Sequence, residues 1–346
     1  MARIVIAGAG AVGASIAYHL ALLGARDVVL CDRAEIASGA TGKAMGGFRQ
    51  QFSTEAEVRL ARASQELFAE LGPPLFEQVG YMFVATTEEG LARLTERAQL
   101  QQSLGVPVEQ VDASRVAGLC VDDVLGAYAC WEDGVAEPAE ITRALVRRAA
   151  ERGVDVREHT DAREVERDVL VIACGAASPE LRPDLPVRPL CRQLVDVGPV
   201  AHLPADLPMV VEDETTFHFR RRGDTLRLAM TEATPRWTAD EIVDEAIVAN
   251  KRARLAHRYP PAAAAPIVRA WAGLYDMTPD AHPIVGFVGD GVYAACGFSG
   301  HGFMQSPAVG RAVAEELLHG ESELDLSPYR LDRFAGEAAF PETLVL

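Results

Sequence analysis

The chain has 346 residues, of which 49% are hydrophobic and 24% are charged, and this length predicts two domains. The net charge of −17 argues against nucleic acid or an anionic membrane as the main partner, although a pocket for a small anion can still be locally basic. No apolar run is long enough for a membrane span, and the first residues begin a strand rather than a signal peptide. We therefore expect a cytoplasmic protein.

The N-terminal segment predicts a strand, a turn, a helix and a second strand. Ile4–Ala7 is a short apolar strand, and the glycine-rich turn at residues 8–13 follows it directly. Apolar residues then recur at helical spacing over residues 12–23. The second strand, Val28–Cys31, ends at Asp32. This order of elements is typical of a dinucleotide-binding unit.

The three glycines of this turn have separate roles in dinucleotide binding. Gly8 allows the tight turn, Gly10 lets the backbone approach a pyrophosphate, and Gly13 lets the helix pack on the strand. The helix N-terminus favours phosphate groups. Asp32 can accept hydrogen bonds from ribose hydroxyls, and an acid there disfavours the 2′-phosphate of NADP. The alternative is a glycine-rich turn without a ligand.

The middle of the chain alternates between two kinds of pattern. Residues 38–52 are rich in small side chains without a period, which predicts an ordered loop close to a ligand. Thr54 and Glu57 form a capping box that opens a helix. Further elements are predicted as strands at residues 81–85 and 169–173, helices at residues 139–152 and 239–259, and a hairpin turning at residues 223–224. Six scattered cysteines contain no C-x-x-C pair, so we expect no metal site.

A second strand, glycine turn and helix occur near the C-terminus. The apolar strand Val292–Cys296 is followed by glycines at positions 297, 300 and 302. Ser306 suits an N-cap and Pro307 a first helical position, which predicts a helix that starts there and ends at Gly320. A nicotinamide dehydrogenase needs one such turn. Two turns that converge on one ligand favour the larger flavin dinucleotide.

These patterns predict an α/β fold with an α+β second domain. It consists of a Rossmann-like FAD-binding domain and an interleaved antiparallel-sheet domain that binds the substrate. We expect residues 1–50, 138–180 and 265–335 to form the first domain, and residues 51–137 and 181–264 to form the second.

The sequence resembles the D-amino-acid oxidase superfamily of FAD enzymes, and within it the sarcosine oxidase and proline dehydrogenase β-subunit branch. The resemblance rests on the N-terminal segment, residues 38–49, residues 271–286 and the turn at residues 297–302. It implies oxidation of the C–N bond of a small amino acid or secondary amine, similar to sarcosine or proline. A hydride passes to flavin N5, the imine hydrolyses, and oxygen or another acceptor reoxidises the flavin. Gly273 stands where some relatives attach FAD through a cysteine, so the resemblance implies non-covalent FAD.

The resemblance also implies where the cofactor lies. The first turn and Asp32 would hold the ADP half, residues 38–47 would follow the pyrophosphate and the ring, and residues 297–304 would lie against the flavin. The expected cofactor-binding residues are Gly8, Gly10, Ala11, Val12, Gly13, Asp32, Arg33, Ser38, Gly39, Ala40, Thr41, Lys43, Met45, Gly46, Gly47, Cys174, Gly175, Gly297, Gly300, His301, Gly302, Phe303 and Met304.

Arg49 is the expected clamp for the substrate carboxylate, because a guanidinium can grip a carboxylate through two parallel hydrogen bonds. The alternative is a surface arginine that pairs with Glu55 or Glu57. Met304 stands where monomeric sarcosine oxidases have a lysine that helps to bind the carboxylate. The clamp then rests more on Arg49, or the substrate is less acidic.

Four further residues complete the expected catalytic set. Tyr275 would contact the substrate or pack at an interface, and His301 would add positive potential near the flavin or serve as a structural histidine. His218 would face the substrate or belong to the core. Arg227 lies nearest to the position of a lysine that activates oxygen in relatives.

Three other functions stay open at this point. The substrate could be a 2-hydroxy acid, as in other branches of the superfamily. The chain could be a flavoprotein β-subunit that needs a second subunit or a separate electron acceptor. An NAD-dependent dehydrogenase is disfavoured by the second glycine turn.

Overall fold

The computed structural model of the chain describes residues 2–336 and 341–346. Met1, the first residue of the predicted FAD-binding domain, lies outside them. The chain divides into two compact units: the first takes the segments Met1–Ala44, Glu137–Leu190 and Leu274–Val345, and the second takes Met45–Ala136, Cys191–Gly273 and Leu346. The predicted first-domain segments ended at residues 50 and 180, whereas the first unit's segments end at residues 44 and 190. The predicted second-domain segments ended at residues 137 and 264, whereas the second unit's segments end at residues 136 and 273.

The helices are α1 (Ala11–Leu22), α2 (Ala40–Lys43), α3 (Glu55–Leu71), α4 (Glu88–Ser103), α5 (Pro138–Ala150), α6 (Glu245–Arg258) and α7 (Gly302–His319). The strands are β1 (Ile4–Ala7), β2 (Val28–Cys31), β3 (Gly47–Phe48), β4 (Phe76–Glu77), β5 (Tyr81–Ala85), β6 (Val108–Val111), β7 (Gly126–Cys130), β8 (Gly134–Ala136), β9 (Asp155–Arg157), β10 (Val169–Ile172), β11 (Arg188–Val197), β12 (Met209–Glu212), β13 (His218–Arg222), β14 (Thr225–Ala229), β15 (Ile267–Met277), β16 (Ile284–Gly289) and β17 (Val292–Cys296). Of the helices in the described ranges, none combines the length and the apolar character that a membrane span requires.

The first unit is built on a six-stranded sheet with the order β16-β17-β10-β1-β2-β9. Every neighbouring pair is parallel except β16 and β17, which are antiparallel. β1 and β2 are fully buried apolar strands, as expected for a parallel sheet covered on both faces. α1 packs against α5 and α7. The contact with α7 is close: a Cβ added at Gly310 of α7 would lie 2.2 Å from Oγ of Ser15 in α1, so only glycine fits there. The predicted Rossmann-like architecture is therefore confirmed.

The second unit contains an eight-stranded sheet with the order β15-β11-β14-β13-β12-β5-β7-β6. The pairs β11–β14, β13–β14 and β12–β13 are antiparallel, as are β5–β7 and β6–β7, whereas β12 and β5 run parallel. Phe217 and Phe219 pack in one core cluster with Val248 and Leu255 of α6. A three-stranded sheet, β3-β8-β4, belongs to the same unit. The predicted antiparallel hairpin is formed by β13 and β14.

Two predicted segments differ from the structure. The predicted loop at residues 38–52 contains the one-turn helix α2 and the short strand β3. The helix predicted to begin at residue 239 begins instead at Glu245. Asp244 is its N-cap, because its carboxylate accepts the N–H of Ala246 at 2.9 Å and its own N–H donates to Gln193 at 2.7 Å.

The last helix also begins one turn earlier than predicted. α7 starts at Gly302, so the proposed N-cap Ser306 and the proposed first residue Pro307 both lie inside it. Pro307 has no N–H for the carbonyl of Phe303, four residues before it. The hydroxyl of Ser306 donates to that carbonyl at 2.9 Å instead. Ser306 therefore replaces the backbone hydrogen bond that Pro307 cannot make inside the helix. At the other end, Gly320 terminates α7 in the left-handed conformation, and the helix ends at this residue as predicted.

Candidate functional site

The glycine turn after β1 is closed by contacts that only glycine allows. Gly8 has a φ of +104°, and a Cβ there would lie 2.4 Å from the carbonyl oxygen of Ala173. A Cβ at Gly13 would lie 1.8 Å from the carbonyl oxygen of Gly8. A Cβ at Gly10 would lie 3.2 Å from Oγ1 of Thr41, which accepts the first N–H of α1 at 3.0 Å. These contacts leave little room for side chains at the N-terminus of α1, and the N-terminus of a helix favours a pyrophosphate.

A cleft of about 240 Å³ opens beside this turn and is lined by Gly8, Asp32, Ser38, Gly39 and other residues of the first unit. Asp32 bridges the backbone around the cleft: Oδ2 accepts the N–H of residue 9 at 2.7 Å and Oδ1 accepts the N–H of residue 34 at 2.8 Å. A carboxylate offers about four acceptor positions, so two protein bonds leave room for the hydroxyls of a ribose. The cleft therefore fits the adenosine part of a dinucleotide.

Arg33 and Cys174 also line the cleft. Arg33 donates to the carboxylate of Glu180 at 2.7 Å, and both side chains are about half exposed. The thiol of Cys174 donates to the carbonyl of Ala7 at 3.2 Å, and burial raises the pKa of this thiol to about 12. Cys174 therefore lines the cleft as a protonated thiol and is not a nucleophile. Gly175, next to it, has a φ of +54° and begins a short 3₁₀ turn.

The predicted loop residues are divided between the two units. Ser38, Gly39, Ala40, Thr41 and Lys43 belong to the first unit, and Met45, Gly46 and Gly47 belong to the second. In the second unit, the carbonyl of Met45 accepts a hydrogen bond from Nε of Arg220 at 2.5 Å. A Cβ at Gly47 would lie 2.8 Å from the sulfur of Met209. Glycine at position 47 is thus explained by packing within the second unit.

Asp276 holds the second glycine turn and was not among the residues predicted from the sequence. Its Oδ2 accepts the N–H groups of Gly297 at 2.8 Å and of Phe298 at 3.1 Å, and its carbonyl accepts the N–H of Ser299 at 3.1 Å. Burial raises the pKa of Asp276 to about 6, although these hydrogen bonds favour the carboxylate. Asp276 precedes Gly297 by 21 residues, so no local sequence signal marked it.

Tyr275 and His301 flank this turn in the first unit. The ring of Tyr275 packs on Gly300, where a Cβ would lie 2.3 Å from Cε2. His301 is 3% exposed and occupies the N-cap position of α7 without a side-chain capping bond. Gly302, Phe303 and Met304 form the first turn of α7. This is the N-terminal end of the helix, where the helix dipole favours negative charge.

Both glycine turns lie at the same edge of one sheet. β1 and β17 each pair in parallel with β10, which lies between them. The first turn follows β1 and the second turn follows β17, so both begin at the carboxyl ends of parallel strands. Open α/β sheets bind ligands at that edge. The two turns predicted to serve one ligand are therefore placed where one ligand can use both.

Arg49 is fully buried in the second unit, so it is not an arginine of the surface. The guanidinium donates to the carbonyl of Gln51, and its carbon lies 3.9 Å from the ring centre of Phe52. Glu55, one of the two acids considered as its surface partner, accepts hydrogen bonds from Arg59 at 2.7 and 2.9 Å. The buried position gives Arg49 a desolvated guanidinium, which strengthens its attraction for a carboxylate.

His218 is 3% exposed, and its tautomer follows from its hydrogen bond. Nδ1 lies 2.7 Å from the carbonyl oxygen of Thr216, so Nδ1 carries the proton and Nε2 carries the lone pair. Burial, together with the positive charges of Lys251, Arg49 and Arg192, lowers the pKa of His218 to about 4. The ring is therefore neutral at pH 7 and presents Nε2 as an acceptor.

Arg227 is explained by an ion pair within the second unit. Its Nε and Nη2 donate to the two carboxylate oxygens of Asp196 at 2.9 and 3.1 Å. The two residues are register partners on β14 and β11, and the guanidinium also lies 4.8 Å from the ring centre of Trp271. This bidentate pair joins two strands of the eight-stranded sheet, which is a structural role.

The chain is similar to flavoenzymes of known activity. The family model described as DAO, FAD dependent oxidoreductase, matches residues 3–316. Glycine oxidase from Geobacillus kaustophilus (strain HTA426) is 27% identical over 96% of this chain and 97% of its own length. Mitochondrial sarcosine dehydrogenase from Homo sapiens is 25% identical over 96% of this chain and 41% of its own length. The crystal structure of L-proline dehydrogenase from P. horikoshii has a TM-score of 0.89 and 28% identity, over 96% of this chain and 97% of its own.

Proposed function

Because the chain belongs to the DAO family of FAD-dependent oxidoreductases, we propose that it oxidises the C–N bond of a small amino acid or secondary amine. FAD is its cofactor, and when bound it supplies the hydride acceptor, N5. The placement of both glycine turns at one edge of the first unit's sheet carries the proposal, because a flavin dinucleotide is long enough to use both. The similarity to glycine oxidase over nearly the full chain supports an amine as the substrate.

The proposed cofactor contacts follow from the geometry of the first unit. The turn at residues 8–13 would receive the pyrophosphate, and Asp32 would accept the ribose hydroxyls in the cleft. The first turn of α7, beginning at Gly302, would stabilise negative charge on the reduced ring, with His301 beside it. FAD would be held without a covalent bond. Acid precipitation of the holoprotein should then leave the flavin in the supernatant.

Arg49 and His218 are the proposed substrate-binding residues of the second unit. Arg49 would hold the substrate carboxylate, because charge is little screened around a buried guanidinium. His218 would accept a hydrogen bond from the substrate amine through Nε2, because Nδ1 is already committed to Thr216. These two contacts would fix the α-carbon, whose hydride is removed before the imine hydrolyses. Arg227 is assigned a structural role instead.

The test is turnover of the purified chain with a panel of substrates. We expect oxygen uptake, or reduction of an artificial acceptor, with glycine, sarcosine or proline and none with 2-hydroxy acids. Activity restricted to hydroxy acids would reject the proposal. Activity that appears only with a second protein would make the chain a subunit. The cytoplasmic location stays a prediction.

A further inference from the structure

A buried carboxylate lies beside the segment that carries Arg49. β3 and β8 pair antiparallel with Phe48 opposite Gly134; Arg49 directly follows β3, and Asp133 directly precedes β8. Regular strand structure ends there, so residues 49–52 form irregular backbone. Arg49 and Asp133 are both fully buried. Irregular backbone inside a protein needs hydrogen-bond partners other than a ladder.

Asp133 supplies those partners. Its Oδ1 accepts the backbone N–H of Gln50 at 3.0 Å and the side-chain amide of Gln50 at 3.2 Å. Its Oδ2 accepts the side-chain amide of Gln51 at 3.0 Å, and that same amide donates to the carbonyl of Tyr81 at 3.0 Å. The carbonyl of Gln51 in turn accepts the guanidinium of Arg49. One carboxylate thus holds both Gln50 and Gln51, and the carbonyl of Gln51 is one of the contacts that orient Arg49.

We propose that Asp133 is a positioning residue that sets the direction of the Arg49 guanidinium toward the substrate carboxylate. This inference rests on the proposed role of Arg49. Burial raises the pKa of Asp133 to about 7, so its carboxylate depends on the three amide donors around it. An uncharged amide at position 133 would present a donor where Gln51 already donates. Gln51 must then give up its bond to Asp133 or to Tyr81, and the backbone that carries the Arg49 contact shifts.

The test compares four forms of the FAD-loaded protein: wild type, Asp133→Asn, Arg49→Met and the double variant. Binding of acetate, followed by the change in the flavin spectrum, reports on the carboxylate clamp without turnover, and methylamine serves as a probe that needs no clamp. We expect Asp133→Asn to weaken acetate binding between about 10-fold and about 100-fold, because misplacement by about 1 Å has effects of this size. Methylamine binding should not change. With substrate, KM should rise while kcat stays within about twofold.

The double variant separates positioning from general damage. If Asp133 acts through Arg49, the Asp133→Asn change adds nothing to acetate binding once Arg49 is Met. Equal acetate binding by wild type and Asp133→Asn, while Arg49→Met loses it, would overturn the positioning role and leave the clamp intact. Unchanged binding in Arg49→Met would overturn the clamp itself, and the positioning role with it. Asp112→Asn, at an exposed helix cap, is the matched control.

A second variant covers the case in which Asp133→Asn does not fold. Gln51→Met keeps the side-chain volume and removes the amide that joins Asp133 to Tyr81. We expect it to weaken acetate binding in the same direction, with normal FAD content. Acetate binding like that of wild type in Gln51→Met would count against the positioning role.

Discussion

Tyr275 lies directly on Gly300: a Cβ added to Gly300 would be 2.3 Å from Cε2 of the tyrosine ring. Gly300 also has a φ of +92°, where a side chain costs about 1–2 kcal/mol. We therefore expect Gly300→Ala to lower the stability of the first unit and to loosen FAD, because the turn and the ring must both move. Unfolding of the apoprotein and the holoprotein in urea measures the two effects.

Gly320→Ala is a matched control for that change. Gly320 has a φ of +85°, but a Cβ added there would meet nothing within 4 Å, so its alanine variant carries the backbone cost alone. The loss in Gly300→Ala should exceed the loss in Gly320→Ala. Equal losses in the two variants would show that the contact with Tyr275 has no energetic weight.

Asp32→Asn should weaken FAD binding. Each hydrogen bond that a carboxylate makes to a ribose hydroxyl contributes about 1.5–3 kcal/mol, which corresponds to a rise in Kd of roughly 10-fold to 150-fold. Quenching of flavin fluorescence measures the Kd. Asp155→Asn, whose partner Arg157 lies on the same strand β9, serves as control. FAD affinity equal to wild type in Asp32→Asn would contradict the adenosine assignment of the cleft.

Arg49→Met should raise KM for an amino acid far more than it lowers kcat. Two charged hydrogen bonds to the substrate carboxylate are lost, and each is worth about 1.5–3 kcal/mol. The KM of Arg49→Lys should lie between those of wild type and Arg49→Met, since lysine keeps the positive charge but cannot make two parallel hydrogen bonds. Arg59→Met, on an exposed part of α3, should behave as wild type. An unchanged KM in Arg49→Met would show that Arg49 does not bind the substrate carboxylate.

His218 should make the protein less stable in acid. Its pKa is about 4 in the folded protein against 6.5 in the unfolded chain, so the unfolded chain binds the proton first. Its contribution is fully present above pH 6.5 and is lost as pH falls toward 4, by roughly 3 kcal/mol in total. Urea unfolding at pH 7 and pH 5 measures this loss.

His218→Gln is the comparison that isolates this effect. Asp276, with its pKa raised to about 6, gives a slope of opposite sign in part of the same range. The difference between wild type and His218→Gln therefore carries the test, rather than the slope of wild type. The same pH dependence in both proteins would contradict a buried neutral histidine.

Periodicity predicted the regular elements of this fold well. β1, β2 and β17 have their predicted bounds, and α3 opens at Thr54 with the predicted cap, since these features depend on neighbouring residues. The start of α7 was predicted wrongly because Ser306 and Pro307 match both an N-cap and a repaired helix interior, and tertiary packing decides between them.

The supporting acids could not be predicted from local sequence. Asp276 binds a turn that lies some twenty residues further along the chain, and Asp133 binds Gln50, which precedes it by 83 residues. Such pairs depend on strand register in three dimensions. The burial of Arg49 has the same origin, because residues 49–52 show no apolar period that would mark them as interior.

The most direct test of the whole account is anaerobic mixing of the FAD-loaded protein with amines, followed through the flavin absorption band. We predict that glycine, sarcosine, proline or another small amino acid bleaches the band, that readmitted air or an added acceptor restores it, and that 2-hydroxy acids leave it unchanged. A flavin band that no amine bleaches, or that only a hydroxy acid bleaches, would contradict oxidation of a C–N bond by this protein.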